Sequence, residues 1–278
     1  MILSIITVNL NNRVGLERTL RSVLAQKDRA FEFVVVDGGS TDGSTDVIRT
    51  HAAAISWWVS EPDSGVYAAM NKGTSAAKGE YLLFLNSGDW LVDDEVVGRL
   101  RRAVETRKDV YYSNLVHIED QSLPATDFPK VLDVNFFANG CINHQNCLIR
   151  RDLLVRSGGY DERFRIVGDW HFFLKAFRSA SVSSEFLEEP IAFYEGGGIS
   201  SQGKHEDRRL AEIAEAFRDV FGDLAPSMQE FYDYKHSVFG NTVGLFGYTK
   251  TLDFILRTYR YLARRLSFLK SGRKYPAL

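Results

Sequence analysis

Four apolar runs within the first 90 residues, each stopping at a polar or acidic residue, constrain this chain more than any other feature. They cover residues 2–8, ending at Asn9; 31–36, ending at Asp37; 55–60, followed by Glu61-Pro62-Asp63; and 81–85, ending at Asn86-Ser87-Gly88-Asp89. The last of these, unbroken and closed by Ser87-Gly88, reads as a strand buried on both faces, and the other three read as strands as well. Between them lie stretches with helical spacing. Val14, Leu20, Val23 and Leu24 follow Asn11-Asn12, a helix N-cap signal; Ser44 or Thr45 can cap a helix over 46–53; a further helix runs through Ala68, Ala69 and Met70 to about residue 77. Strand and helix alternating in this way predict an α/β fold with a mainly parallel, Rossmann-like sheet flanked by helices. Open sheets of this kind bind ligands beyond the carboxyl ends of their strands. One carboxylate after a strand is an ordinary turn residue; Asn9, Asp37, Asp63, Asn86 and Asp89 on one edge describe a site.

Composition narrows the function classes. The 278 residues carry a net charge of −2, which gives no global reason to expect a nucleic-acid partner. The balance is uneven, because residues 250–278 hold eight Lys/Arg against Asp253 alone, a local +7 that leaves −9 on the rest. Cys141 and Cys147 are the only cysteines, and the first residues read as a strand rather than a signal peptide, so a reduced cytoplasmic setting is expected. No apolar run approaches the ~20 residues that span a bilayer. The first strand is not followed by Gly-x-Gly-x-x-Gly, and no Gly-x-x-x-x-Gly-Lys-Ser/Thr occurs, which speaks against a dinucleotide Rossmann site and a P-loop. A site rich in Asp can hold a nucleotide differently: carboxylates bond base and ribose while a divalent cation offsets the diphosphate.

The first 100 residues resemble the nucleotide-binding half of a family 2 glycosyltransferase of the GT-A fold. The stretches that carry the resemblance are Ser4-Ile5-Ile6-Thr7-Val8-Asn9, Val34-Val35-Val36-Asp37-Gly38-Gly39-Ser40-Thr41-Asp42-Gly43-Ser44 and Leu83-Phe84-Leu85-Asn86-Ser87-Gly88-Asp89. Glu61-Pro62-Asp63-Ser64-Gly65-Val66-Tyr67-Ala68-Ala69-Met70-Asn71-Lys72-Gly73 is similar to a bacterial subgroup that builds surface polysaccharides. The resemblance implies a nucleotide-diphosphate sugar donor, UDP-sugars favoured, with Thr7, Asn9, Asp37, Asp63, Asn71, Asn86, Ser87 and Gly88 at the nucleotide sugar. It implies Asp89 as the anchor of a Mg²⁺ or Mn²⁺ ion. Asn86-Ser87-Gly88-Asp89 departs from the family's Asp-x-Asp, one carboxylate giving way to an amide or a small residue. An amide oxygen still ligates a hard cation, with less charge.

By the resemblance, a catalytic domain is expected over 1–203, with residues 101–203 as its acceptor-binding half. An amphipathic helix is predicted over 94–108, a single strand over 109–118, a polar connection over 119–135 and a short strand over 146–149. Gly168-Asp169-Trp170-His171 opens a helix. Asp169 is either its N-cap or, by the resemblance, the general base of an inverting transfer. Trp170 either stacks on a sugar or sits in the core. His144 and Gln145 either touch acceptor or donor or are structural. Cys141, His144 and Cys147 supply three ligands and no second pair, which does not make a structural zinc site. A strand over 191–194 leads to Glu195-Gly196-Gly197-Gly198, where the glycines either let a loop close over the donor or form a linker, and His205 is placed near the diphosphate or metal.

Residues 204–278 read as a helical extension. Helices are expected over 206–221 and 226–239, and Leu252, Ile255, Leu256, Tyr259, Leu262, Ala263 and Leu266 follow a helical stripe with Arg257, Arg260, Arg264 and Arg265 mostly off it. A basic amphipathic helix over 250–274 suits peripheral contact with an anionic membrane, which would bring a lipid-linked glycan acceptor within reach, or packing on protein, including a second subunit. The expected activity is hexosyl or N-acetylhexosaminyl transfer to a hydroxyl of a glycan or lipid-linked glycan in bacterial polysaccharide biosynthesis, at the inner face of the cell membrane. The alternative is a non-catalytic nucleotide- or glycan-binding scaffold on the same fold. A nucleotidyltransferase would need a glycine-rich, basic triphosphate loop near the N-terminus, and residues 9–15 contain none.

Overall fold

The computed structural model describes residues 2–117, 124–126, 128–179, 181–195 and 205–236. In chain order, the first half holds β1 (Leu3–Asn9), α1 (Arg13–Leu24), β2 (Phe31–Asp37), α2 (Ser44–His51), β3 (Trp57–Ser60), α3 (Val66–Ala76), β4 (Tyr81–Phe84), β5 (Trp90–Leu91) and α4 (Val96–Ala103). Then come β6 (Val110–Ser113), β7 (Leu115–His117), β8 (Pro124–Thr126), α5 (Val134–Phe137), β9 (Cys147–Arg150) and α6 (Arg151–Arg156). The last elements are α7 (Gly168–Ser179), β10 (Ser184–Leu187), β11 (Ala192–Tyr194), α8 (Glu206–Phe221) and α9 (Ala225–His236). The compact unit that carries the sheets extends through Ala225, past the boundary expected at 203, so α8 belongs with it. Residues 226–278 form a second unit, and the basic stretch 250–274 lies outside the described residues.

Seven strands form one sheet in the order β10-β6-β9-β4-β1-β2-β3. The pairs β1–β2, β1–β4 and β2–β3 are parallel, as the apolar runs predict, while β9 lies antiparallel between β4 and β6. β1 therefore sits at the switch point, with β2 and β3 to one side and β4 to the other, the place where such sheets open a crevice. Register gathers the strand ends: Asn9 is opposite Asp37, and Asp37 is opposite Ser60. Beneath them Ile5, Leu16, Leu20, Phe33, Val35, Leu83 and Leu148 pack in one apolar cluster with less than 2% of each exposed. Each fully buried side chain of this kind contributes roughly 1.5–3 kcal/mol.

Several expectations are corrected. The strand expected over 109–118 is two strands: β6 stays in the large sheet, while β7 joins β5, β11 and β8 in a second one. An alternating pattern cannot register the bend at Ser113-Asn114, where the Asn114 side chain accepts the Phe128 N–H at 2.9 Å. The helix expected over 94–108 is α4, continued only by one 3-10 turn and ended at Arg107 with φ +55°. β8 lies inside the stretch expected to be a plain connection. Ser44 is the first residue of α2 rather than its cap, its hydroxyl donating to Asp42 at 2.6 Å.

Candidate active site

The donor-side wall is built on Asp37 at the end of β2. One carboxylate oxygen accepts Asn9 Nδ2 (2.7 Å) and Ser40 Oγ (2.6 Å); the other accepts Ser40 N (2.9 Å) and Ser60 Oγ (2.6 Å). Burial alone would raise its pKa, but the hydrogen bonds from Ser40, Ser60 and Asn9 hold it below the usual carboxylate value. Asp37 is fully buried and saturated, so it shapes the wall rather than facing outward. The carboxylate with access is Asp63, half-buried, which reaches over Gly38; a Cβ there would lie 2.8 Å from Asp63 Oδ2. Asn9 joins Asp37 as expected, and its Oδ1 is buried without a partner. Thr7 does not face the pocket: it is fully buried and donates its hydroxyl to Leu85 O at 2.8 Å, tying β1 to the chain beyond β4. Nor does Asn71, which holds the turn before α7 through Tyr160 N (2.9 Å), Tyr160 O (2.8 Å) and Glu162 (3.0 Å).

The chain beyond β4 brings Asn86, Ser87, Gly88 and Asp89 together with residues from both halves. Asn12, the N-cap of α1, accepts from Gly15 N at 3.1 Å and donates to Ser87 O at 3.0 Å. Gly88 has φ +110°, and a Cβ on it would collide with the Glu195 carboxylate. Glu195 thus occupies the space a side chain at 88 would need. It is held by Arg18 at 2.7 Å, whose guanidinium lies 4.7 Å from the centroid of the Trp90 ring. Asp89 is 6% exposed and accepts Glu195 N at 3.1 Å. Burial pushes its pKa up to about 7; the Glu195 N–H and the charge of His144 oppose this, and the charge of Glu195 adds to it. Asn86 Oδ1 is buried and has no partner. Asn86 Oδ1, Asp89 and the 36%-exposed carboxylate of Glu195 are oxygen donors of the type a hard divalent cation takes, so the residues present fit such an ion. Sequence reasoning saw Glu195 only as the start of a glycine-rich loop.

Asp169 is the second residue of α7. Its Oδ1 accepts Tyr67 OH (3.0 Å) and Trp170 N (2.9 Å), and its Oδ2 lies 3.0 Å from His144 Nδ1. His144 Nε2 lies 2.9 Å from the Asn86 amide, and its Nδ1–H is donated to Asp169 Oδ2. One chain of contacts therefore runs from the end of β4 through His144 to Asp169. Burial would raise the Asp169 pKa, but His144, Tyr67 and Trp170 bring it below the ordinary value; burial would lower that of His144, but Asp169, aided by Asp89, raises it. The pair favours a charged carboxylate beside a proton-holding imidazole. Tyr67, missed from sequence as a site residue, also donates to Ile166 O at 2.8 Å.

Three weaker expectations fare differently from His144. Trp170 is a core residue, donating Nε1 to Phe137 O at 2.6 Å with its ring edge-on to Phe217, so it offers no face to a sugar. Gln145 is 1% exposed and buried with its Oε1 unpartnered. His205 is the residue immediately before α8. Asp161, His171 and Asp219 place ligand atoms within 4.8 Å of one another. Arg163 already pairs with Asp161 (2.7 Å) and Glu215 (3.0 Å), and His171 Nε2 is hydrogen-bonded to Asp219 (2.7 Å), so the group is a polar network joining α7 and α8.

This fold and strand-end site are those of a GT-A glycosyltransferase. The family model for glycosyl transferase family 2 matches residues 4–177, and the chain belongs to that family. Among its relatives is a PGL/p-HBAD biosynthesis glycosyltransferase of Mycobacterium bovis (strain BCG / Pasteur 1173P2), 32% identical over 206 residues, which are 71% of this chain and 78% of that one. S. aureus TarS 1-349 in complex with UDP-GlcNAc matches with a TM-score of 0.67 at 18% identity, over 91% of this chain and 77% of that one. The chain spans only 46% of the longer S. aureus TarS structure. A mannosyltransferase from Pyrobaculum calidifontis in complex with GDP-Man and Mn²⁺ matches with a TM-score of 0.63 at 16% identity, over 94% and 80%. At these identities the structures establish the shared fold. Among the described residues, no helix is long and apolar enough to cross a membrane.

Proposed function

We propose that this glycosyltransferase moves a sugar from a nucleotide-diphosphate sugar, a UDP-sugar first among candidates, to a hydroxyl of a glycan or lipid-linked glycan, with inversion at the anomeric carbon. The observation that carries the reading is the contact chain Asn86–His144–Asp169, which joins the donor-side strand end to a charged carboxylate on the acceptor side. The nucleoside lies against Asp63 and the wall organised by Asp37, and the diphosphate lies toward Asn86 and Glu195. Asp169 accepts the proton of the acceptor hydroxyl as that oxygen bonds to the anomeric carbon. The bond from that carbon to the diphosphate breaks on the opposite face, and the nucleotide diphosphate departs with the electron pair. His144 and Tyr67 hold Asp169 ionised and aimed, which is the alignment such a step requires. A Mg²⁺ or Mn²⁺ ion at Asn86, Asp89 and Glu195 would supply charge stabilisation of the departing diphosphate. UDP is supported by the complex of the structural neighbour, and lipid-linked glycan by the basic stretch 250–274, which suits work at the inner face of the membrane.

The test is calorimetric titration of the full chain with UDP, GDP and dTDP, each with and without Mn²⁺, followed by turnover of the matching nucleotide sugar by Asp169→Asn. Binding of one nucleotide, strengthened by Mn²⁺, with turnover lost on substitution, is the expected result. No binding of any nucleotide sinks the reading. Binding with no turnover by the wild-type chain would favour the scaffold.

A further inference from the structure

The mechanism leaves unused a buried carboxylate that grips the turn just ahead of the base. Glu212, in the middle of α8, is 6% exposed. Its oxygens accept three consecutive backbone N–H groups, from Arg165 (3.0 and 3.1 Å), Ile166 (2.9 Å) and Val167 (3.3 Å). Arg208, one turn earlier in the same helix, adds its Nε at 2.9 Å. Successive amides turned onto one point form an anion-binding concavity, and here the chain supplies the anion itself. Enclosing a carboxylate costs several kcal/mol unless its oxygens are bonded, and a glutamate contributing only packing would carry that penalty for nothing.

The gripped turn ends one residue before α7 begins, and Asp169 is the second residue of α7. From the opposite side Tyr67 of α3 holds the same turn, donating its single hydroxyl toward both Ile166 O and Asp169 Oδ1. The amides of the turn are thus fixed by α8 and one of its carbonyls by α3. Two more contacts run from α8 to the first turn of α7: His171 Nε2 to Asp219 at 2.7 Å, and Trp170 edge-on to Phe217 at 5.3 Å between ring centroids. α8 lies beyond the segment the family model matches, so the grip comes from outside that segment.

We infer that Glu212 is a positioning residue for the transfer reaction: it fixes the 165–167 turn so that Asp169 meets His144 and Tyr67. The inference rests on the reading of Asp169 as the base. In the full chain, Glu212→Ala is expected to speed amide exchange over 165–169 by at least about tenfold while peptides from β1 to β4 keep their wild-type rates. With the nucleotide sugar selected by titration, kcat should fall on the order of 10- to 100-fold, as for a base misplaced by about 1 Å, and KM should stay within about twofold. Glu212→Gln keeps a carbonyl oxygen for Ile166 and Val167 and should recover most of both losses. Unchanged exchange at 165–169, exchange that rises equally across the chain, or a KM effect with kcat intact would overturn the inference. The two readings fail separately. Full turnover by Asp169→Asn removes the base assignment, whereas lost turnover there with normal kcat in Glu212→Ala removes only the positioning role.

Discussion

Asp89→Asn should stabilise the metal-free protein above neutral pH and do almost nothing in mild acid. The Asp89 carboxyl titrates near 3.8 in the unfolded chain and at about 7 in the fold, because burial disfavours its charge. A carboxyl with a raised folded pKa gives its full stability below the unfolded value and loses it as pH rises through the folded one. At pH 8 the ionised group therefore costs the native state about 4 kcal/mol, from roughly three pKa units at 1.36 kcal/mol each, and at pH 5 about 1.5 kcal/mol. Asparagine removes this slope, keeps an oxygen for the Glu195 N–H, and leaves a new amide N–H₂ whose burial costs about 1 kcal/mol at any pH. The expected gain is about 3 kcal/mol at pH 8 and under about 1 kcal/mol at pH 5, with Asp89 itself as the only difference between the two chains. Urea unfolding in EDTA at both pH values reads it directly. Equal stability differences at pH 5 and pH 8 would refute the claim that Asp89 is held in a site that rejects its charge. Added Mn²⁺ with nucleotide should reverse the ranking at pH 8, if the enclosed charge is what the cation meets.

Other substitutions probe the neighbouring contacts. His144→Gln should reduce stability in EDTA most between about pH 4 and pH 6.5. The His144 contribution fades as pH rises through its raised pKa, and that of Asp169 fades as pH falls through its lowered one; thermal unfolding at pH 3, 5.5 and 9 should give a bell-shaped difference. Ser60→Ala removes a 2.6 Å bond to the Asp37 carboxylate and should cost about 1.5–3 kcal/mol at pH 7. That loss should shrink below pH 4 as Asp37 protonates, which urea unfolding against pH will show. Gly88→Ala places a methyl on the Glu195 carboxylate at φ +110° and should cost about 1–3 kcal/mol by calorimetric melting, breaking the Arg18–Glu195 pair as well.

The parallel core was legible because its signal is local. Residues 81–85 are apolar without interruption, as a strand buried on both faces requires, and 31–36 are apolar but for Glu32, whose carboxylate accepts Ser4 Oγ and Lys78 N. Parallel register then follows from the helices between the strands, and it alone brings Asn9 opposite Asp37. β5, two residues long, carries no periodicity to detect. The split of 109–118 depends on Asn146, whose Oδ1 accepts Ser113 Oγ, Ile191 N and Ala192 N and so fixes where the two sheets part. Nothing near residue 113 announces a partner more than 30 residues away.

The site residues divide along the same line, between what a motif contains and what the fold adds to it. Asp37 and Asp89 stand in recognisable stretches, yet both are buried: Asp37 spends both oxygens on the chain's own N–H and O–H groups, and Asp89 spends one on the Glu195 N–H. Asp63, Glu195 and Asp169 keep access or an aimed hydrogen bond, and only Asp63 and Asp169 were singled out from sequence as site residues. Glu195 reaches the Gly88 position from the far end of β11, and Glu212 reaches the turn before Asp169 from α8; both act across separations of more than 40 residues. Motifs therefore identify where negative charge is concentrated, while burial decides which carboxylates organise the wall and which are left to meet substrate. A carboxylate enclosed by backbone amides, such as Glu212, is as much a part of the site as one that faces the cleft, since the aimed oxygen of Asp169 is placed by it.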